Sequence, residues 1–184
     1  MNETLKTIAE RYTCRAFTDT PLKKEDLEAI VLAGAQAPTA ANSQRFRIIV
    51  INDKEHLDSL NAKLVAMMEE TNPMMTERIK ERGGKALYNC AAMIVLAIEP
   101  VGAWSAELDG GIVIENMALA AHSLGIGNCI HAMCRLLFEG DEGKAFMQEL
   151  QFPEGYVFGC GLLLGYAAET KSPHEPALDK IIWV

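Results

Sequence analysis

Two arginines bracket the segment RYTCR, which spans residues 11–15 of this 184-residue chain. Arg11 and Arg15 are four positions apart, so they share one face if the first helix continues through them. Two guanidinium groups on one face could fork around a phosphate, and Thr13 would add a hydroxyl group between them. The alternative is a pair of solvated arginines, which an isolated RxxxR pattern favours. The segment therefore suggests an anion site that needs support from the rest of the chain.

The overall charge limits the kind of ligand that this segment could bind. The chain carries a net charge of -8. A large nucleic-acid surface would require basic residues massed on one face, so the acidic balance disfavours one. A single local pocket of positive charge remains compatible with it and would suit a small anion such as a phosphate.

Two further stretches have the composition of ligand-binding loops. The stretch APTAANSQRF, residues 37–46, places small and amide residues between a helix end and an apolar run. Asn42 and Gln44 could present their amides to a flat heterocycle, or the stretch could be an ordinary polar turn. In the later stretch LGIGNC, Gly125 and Gly127 would let backbone N–H groups approach a ligand closely.

The chain lacks the patterns of side-chain catalysis. Its four histidines show no HxH or HxxxH spacing, so we expect no zinc site. Cys129 and His131 would share one face of a strand, but two core residues are favoured over a nucleophile pair. No GxSxG or phosphate-loop motif occurs. The glycines of LGIGNC do not follow a strand and open a helix, so they are not a dinucleotide fingerprint.

Apolar periodicity predicts helices that alternate with a few strands. A first helix carries Leu5, Ile8, Ala9 and Tyr12 on one face, a second runs from Leu27 to before Pro38, and Asp53 caps a third. Another helix covers residues 141–150. The predicted strands are FRIIVI (46–51), buried on both faces, AAMIVLAI (91–98), NCIHAM (128–133) and YVFGCGLLLG (156–165).

Three other segments have distinct expectations. The run from Leu108 to Leu124 is apolar nearly all round and ends at Gly125, a natural cap, so it is either a dimer interface or a central core helix. The methionine-rich segment 67–84 is expected to be mobile and partly helical, and it either packs over a partner or pocket or is a surface excursion without a role. The tail 166–184 is expected to be extended, with its apolar end docked.

These elements predict one domain, residues 1–184, of the α+β or α/β class, with a single sheet layer covered by helices. The five cysteines form no CxxC pair and indicate reduced thiols in a cytoplasmic protein. The N-terminus is polar and resembles no signal peptide. No apolar run is long enough to span a bilayer.

Four stretches, taken in order, resemble motifs of the nitroreductase family of FMN-dependent oxidoreductases. They are RYTCRAF, APTAANSQRF, the stretch DGGIVIENMALAAHSLGIGNC from Asp109 to Cys129, and FPEGYVFGCGLLLGY. The resemblance covers nearly the whole chain. It departs at Arg45-Phe46, where the family has Pro-Trp, and at His131-Ala132, where Ile-Gly is more usual.

The resemblance implies a fold, a cofactor and a reaction. The implied fold is an α+β three-layer sandwich with a mostly antiparallel sheet, assembled as an intertwined homodimer with two FMN sites at the interface. Hydride would pass from NADH or NADPH to FMN and then to a small acceptor such as a nitroaromatic or quinone. The alternative is a flavin-binding sensor or storage protein with little turnover.

The expected FMN-binding residues come from four places in the chain. Arg11, Tyr12, Thr13 and Arg15 would hold the phosphate and ribityl chain. The stretch APTAANSQRF would reach the flavin from the other subunit. Residues 125–127 would lie beside the flavin ring. Lys171 is the tail residue proposed for the phosphate. The remaining members of the set are Pro38, Thr39, Ala40, Asn42, Gln44, Gly125, Ile126 and Gly127.

Overall fold

Four antiparallel strands form one sheet in the order β1-β2-β4-β3. The computed structural model describes residues 1–100 and 106–184. The strands are β1 Phe46–Ile51, β2 Ala92–Ile98, β3 Gly127–Ile130 and β4 Val157–Gly165. All four were predicted, but β3 is shorter than NCIHAM because the chain turns into a 3-10 helix at Ala132–Phe138.

Helices cover both faces of the sheet. Two predicted helix caps are confirmed. The Asp53 carboxylate accepts a hydrogen bond from the His56 amide at 2.8 Å. Gly125, which follows a helix, has a φ of 74°. The helices are α1 Glu3–Glu10, α2 Lys24–Ala35, α3 Lys54–Thr71, α4 Pro73–Glu81, α5 Ala106–Ser123 and α6 Gly140–Glu149, with short 3-10 turns at Ala40–Asn42 and Leu178–Lys180.

Strand β2 separates the two halves of the core. Every residue of β2 is buried, and alternate side chains enter opposite clusters. Met93 and Val95 pack in the cluster that contains α3 side chains, whereas Ile94 and Leu96 pack in the cluster built with α2 and α5. Burial on both faces explains why β2 reads as a continuous apolar run. The arrangement is the expected helix–sheet–helix sandwich.

Helix α5 is largely a core element of this single chain. The helix itself was predicted, and much of its apolar surface is covered by α2 and the sheet. Leu108 is an exception, since 63% of it is exposed. Seven residues of α5 are buried: Asp109, Gly110, Val113, Ile114, Met117, Ala118 and Ala121.

Two sequence predictions about elements were wrong, and part of a third was confirmed. Strand β1 lies at the edge of the sheet and is not fully buried as predicted: Arg47 and Val50 are exposed, although its other residues pack against the two core clusters. The methionine-rich segment 67–84 is helical over most of its length, which confirms the helical part of its prediction, because α3 continues to Thr71 and α4 starts at Pro73 with Asn72 as its cap. Helix α1 ends at Glu10 and does not include Tyr12.

Two apolar surfaces remain uncovered in this chain. Leu5 and Ile8 of α1 are 54% and 52% exposed, so the predicted apolar face of this helix meets no core. The end of the tail is exposed as well, including Ile182 and Trp183, and it packs against neither core cluster of the described residues. Within the described residues, no helix has the length and apolar composition needed to cross a membrane.

Close packing of the segment after Arg15 against β4 requires a glycine at position 165. A Cβ atom on Gly165 would lie 2.9 Å from side-chain carbons of Phe17, which is itself buried. We therefore expect Gly165→Ala to lower the free energy of unfolding by roughly 1–3 kcal/mol, because an overpacked core must shift. Urea unfolding followed by circular dichroism measures this.

The matched control for this prediction is Gly111→Ala in α5. A Cβ at Gly111 would meet open space, so alanine should stabilise the helix slightly. Equal stability of Gly165→Ala and the wild type would contradict the close contact between Phe17 and the end of β4.

Candidate functional site

The segment RYTCR is extended and lies along the end of the sheet. Arg11 follows α1 with φ of -58° and ψ of 130°, so the predicted shared helical face of the two arginines is wrong. The Cys14 amide instead donates to the Asn128 carbonyl of β3 at 2.9 Å, and the Thr18 amide donates to the Tyr166 carbonyl at 2.8 Å. The first bond attaches the segment to β3, and the second attaches the chain just after it to the residue that follows β4.

The extended backbone still places the three candidate residues together. In an extended chain, alternate residues point to the same side, so Arg11, Thr13 and Arg15 face away from the core. Cys14 points the opposite way, is fully buried and packs where Gly127 leaves room for its sulfur. Its thiol lies 3.2 Å from the Ala16 carbonyl, and burial raises its pKa. The thiol is therefore protonated at neutral pH.

A small cationic cavity of about 210 Å³ opens beside this segment, and we call it the phosphate pocket. The tail returns to this place because the Tyr12 hydroxyl donates to the Glu169 carbonyl at 3.3 Å. Lys171, the tail residue chosen from the sequence, lines the pocket; Ser172 lines it too, although no sequence pattern indicated that residue. The lining is Arg11, Tyr12, Thr13, Arg15, Lys171, Ser172 and His174.

Arg11 is held in place by groups from two other elements. Its Nη1 donates to Oδ1 of Asn128 at 3.3 Å, and its Nε lies 3.5 Å from Oε1 of Glu115 on α5. Asn128 is 1% exposed and also donates its side-chain amide to the Ala118 carbonyl. Because these contacts restrain the guanidinium group, little side-chain ordering is left for ligand binding to impose.

A wider cavity of about 550 Å³ shares Arg15 and Lys171 with the phosphate pocket. Arg82 and Lys85 add positive charge to its wall, and Glu169 is its only acidic residue among the described residues. The Arg82 guanidinium lies 5.5 Å from the Tyr88 ring centroid. No sequence pattern indicated Arg82, Lys85 or Tyr88 as site residues. Their only local signal is the pair Gly83-Gly84, where positive φ values turn the chain back to the sheet.

The loop 37–45 has an unusual backbone. Ala41, Asn42 and Gln44 have φ values of 52°, 53° and 48°, although none is a glycine. Each such residue costs on the order of 1 kcal/mol, so the surroundings must hold the loop in this shape. Gln44 Nε2 donates to Asn42 Oδ1 at 2.9 Å, so the two amides pair with each other. Their surface is exposed to solvent.

The loop and the phosphate pocket are not brought together within one chain. The described residues that line the two cationic cavities come from residues 11–17, 82–88 and 168–174, and the loop contributes none of them. Loop residue Ala40 is instead bonded to Asp109 on α5. The loop therefore faces solvent in this chain.

Residues 125–127 do not line the cationic cavities either. Gly125 is exposed in the turn after α5, whereas Ile126 is buried in the core. A Cβ on Gly127 would lie 3.1 Å from both the Cys14 sulfur and the Gly165 carbonyl oxygen. The glycine at position 127 thus serves the packing of RYTCR on the sheet.

Cys129 and His131 belong to the core, which is the outcome the sequence favoured. His131 lies beyond the end of β3, with Nδ1 2.9 Å from the Cys134 sulfur. Burial, followed by the nearby Arg15 charge, lowers the pKa of His131 to about 4. Burial raises the pKa of Cys129 to about 11. The imidazole is neutral and the thiol protonated at neutral pH, so they form no activated nucleophile.

The described residues also contain no group of three or more His, Cys, Asp or Glu side chains arranged to hold a metal ion. What they do contain is a pair of joined cationic cavities. The smaller one has the charge and size for a phosphate, and the larger one could take a flat, partly anionic body attached to it.

A family model described as the nitroreductase family matches residues 8–166. Among solved structures, a nitroreductase with bound FMN from Desulfitobacterium hafniense DCB-2 is 44% identical, with a TM-score of 0.94 and coverage of 100% of this chain and 99% of that chain. A nitroreductase with bound FMN from Bacteroides fragilis NCTC 9343 is 28% identical, with a TM-score of 0.85 and coverage of 100% of both chains.

A curated relative from Bacillus subtilis strain 168 is described as an FMN reductase [NAD(P)H]. It is 26% identical over 193 residues, which cover 96% of this chain and 71% of the relative. The similarity therefore extends over nearly the whole of this chain in both sequence and structure.

Proposed function

The chain belongs to the nitroreductase family, and from that premise we propose that it is an FMN-dependent oxidoreductase that uses NAD(P)H as its electron donor. The single observation that carries the proposal is the phosphate pocket. It gathers Arg11, Arg15 and Lys171 at one place in a protein whose net charge is -8. Two nitroreductases of similar length have bound FMN, and a longer relative is described as an FMN reductase.

We propose that FMN occupies the two cationic cavities, which share Arg15 and Lys171. The phosphate pocket offers two guanidinium groups, an ammonium group and the Thr13 hydroxyl to a phosphate. The wider cavity, which shares Arg15 and Lys171, would receive the ring system. Lys171, which pairs with Glu169 at 3.1 Å in this structure, can exchange that exposed carboxylate for a phosphate oxygen.

FMN, when bound, supplies a ring that accepts and donates hydride. The residues of this chain bind it and set its electrostatic surroundings. Arg15, Arg82 and Lys85 place positive charge around the wider cavity, which stabilises a ring that gains negative charge on reduction. No side-chain nucleophile or metal ion is required, which agrees with the neutral His131 and protonated Cys129 in the core.

We propose that the complete site forms in a homodimer. The loop with Pro38, Thr39, Ala40, Asn42 and Gln44 faces solvent in its own chain and would line the flavin of the partner subunit. Two uncovered apolar surfaces, on α1 and at the end of the tail, are available to bury in such a dimer.

The position of Ile126 and Gly127 limits their proposed role. Both are buried in the chain, so we propose that they support the flavin site from beneath RYTCR rather than by direct contact. Gly125, in the exposed turn, can still approach a ligand through its backbone. All five cysteines are free thiols, which fits the proposed cytoplasmic location.

The Arg45-Phe46 departure lies at the base of the loop. Arg45 Nε is 3.8 Å from a Glu99 carboxylate oxygen, and Phe46 packs against the cluster built with α2 and α5. The pair therefore fixes the loop to the sheet edge, and the substitution adds no unbalanced charge to the flavin site.

We expect the purified, FMN-loaded protein to lose its oxidised-flavin absorbance when it is mixed anaerobically with NADH or NADPH in a stopped-flow instrument. Later addition of a quinone or nitroaromatic should restore that absorbance, because the two half-reactions are separate. A protein that takes up no FMN would refute the proposal. A protein that binds FMN tightly but is not reduced by either coenzyme would instead be the flavin sensor or storage protein.

A further inference from the structure

We propose that Asp109 is a positioning residue for the flavin site, because its buried carboxylate holds the loop 37–45 in shape. The proposal rests on the proposed function, in which this loop lines the FMN of the partner subunit. The Ala40 backbone nitrogen lies 3.1 Å from Oδ2 and 3.2 Å from Oδ1 of Asp109. The contact joins the middle of the loop to the first turn of α5.

The loop needs such an anchor because its backbone is strained. Ala41, Asn42 and Gln44, which follow the anchored Ala40, all have left-handed φ values without being glycines. Non-glycine residues keep this conformation only where the surroundings enforce it. The other bonds of the loop, such as the Gln44 amide to Thr39 Oγ1 at 3.1 Å, are exposed and compete with water.

Asp109 is suited to the anchoring role by its burial and its place in the helix. It is 9% exposed, and a buried carboxylate must be compensated by a donor. Among the described residues, the Ala40 amide is the hydrogen-bond donor that the structure gives it. The first turn of α5 also favours negative charge through the helix dipole. Glu107 shares this turn but is exposed.

The anchor connects the loop to the arginine that binds phosphate. Helix α5 holds Ala40 through Asp109 near its start, and six residues later Glu115 restrains Arg11. In the proposed dimer, the loop and Arg11 of one chain serve different FMN molecules. A single rigid helix would therefore fix parts of both sites, and Asp109 sets the shape of the part that each subunit presents to its partner.

The test compares Asp109→Asn with Glu107→Gln in the full-length, FMN-loaded protein. Asparagine keeps the size and one acceptor oxygen, so the variant removes mainly the charge, and Glu107→Gln removes the same charge from an exposed position in the same turn. For Asp109→Asn we expect hydrogen exchange at the Ala40 amide about tenfold faster and FMN binding about tenfold weaker. The visible circular dichroism of the bound flavin should change. The control should match the wild type.

Each other outcome overturns a defined part of the proposal. Unchanged exchange at the Ala40 amide would show that the carboxylate charge of Asp109 does not hold the loop, which overturns the proposal. Faster exchange with wild-type FMN affinity and flavin dichroism would show that the loop does not act on the flavin. Failure of the wild type to bind FMN would refute the proposed function instead, and the exchange measurement would still report on the anchor.

A second variant reaches the same contact from the loop side and covers the case in which Asp109→Asn does not fold. Ala40→Pro removes the donor N–H, and position 40 suits proline because it opens a 3-10 turn after the extended residue Thr39. We expect the same direction of change in FMN affinity and flavin dichroism. Wild-type values for Ala40→Pro would overturn the proposal.

Discussion

Replacing Arg11 by alanine is expected to weaken FMN binding by about ten- to a hundredfold. The Arg11 guanidinium is restrained by Asn128 and Glu115 before any ligand arrives, so it offers an ordered donor to the phosphate. A charge-assisted hydrogen bond of this kind contributes roughly 1.5–3 kcal/mol. The double variant Arg11→Ala/Arg15→Ala should lose about twice that free energy. Fluorescence quenching of FMN during titration of the apoprotein measures the dissociation constants.

The control for this prediction is Arg135→Ala. Arg135 is an exposed arginine that pairs with Glu139 on the surface and lines neither cationic cavity. Its removal changes the net charge by the same amount and should leave FMN affinity within about twofold of the wild type, since a surface ion pair contributes little. If Arg11→Ala binds FMN like Arg135→Ala, the phosphate is not bound at Arg11.

Riboflavin provides a further check on the same residue. It lacks the phosphate, so its weaker binding should be nearly the same in the wild type and in Arg11→Ala. An equal loss of affinity for FMN and riboflavin would place Arg11 against the ring or indicate a general loss of structure. A loss of affinity for FMN alone would show that Arg11 binds the phosphate.

The parts of the fold that the sequence predicts well are those with long, uniform patterns. Strand β2 is apolar at every position because it is buried on both faces, and α5 is apolar nearly all round because helices and sheet surround it. Strand β1 has an equally apolar sequence, yet it lies at the sheet edge. Strand order depends on the packing of distant elements, so composition could not distinguish the central strand from the edge strand.

The site was predicted only in part for a related reason. Arg11 to Arg15 carry no proline or glycine that would end the first helix, and the extended path is imposed by pairing with Asn128, more than a hundred residues away. Arg11, Thr13 and Arg15 nevertheless line one cavity, because positions 11, 13 and 15 share a side in an extended chain. Arg82 and Lys85 were missed because a charged residue in a polar segment looks solvated until tertiary structure places it beside a cavity.

If the FMN site contains the arginines of one subunit and the loop of the other, two inactive variants should restore activity in a mixed dimer. One subunit carries Arg11→Ala/Arg15→Ala, which removes the phosphate contacts. The other carries Asn42→Ile, because a β-branched residue is strained at the φ of 53° found there and cannot accept from Gln44. Co-expression with two different affinity tags allows purification of the mixed dimer.

The geometry determines how much activity each mixed dimer retains. In the mixed dimer of the two variants, one site combines the intact arginines with the intact loop, and the other site carries both defects. The NAD(P)H oxidation rate of this mixed dimer should therefore be about half that of the wild-type dimer. The control dimer pairs the wild type with a subunit that carries all three substitutions, so each of its sites has one defect and should be nearly inactive. A site built within one subunit would reverse these two results, and failure of the two tags to co-purify would contradict the homodimer itself.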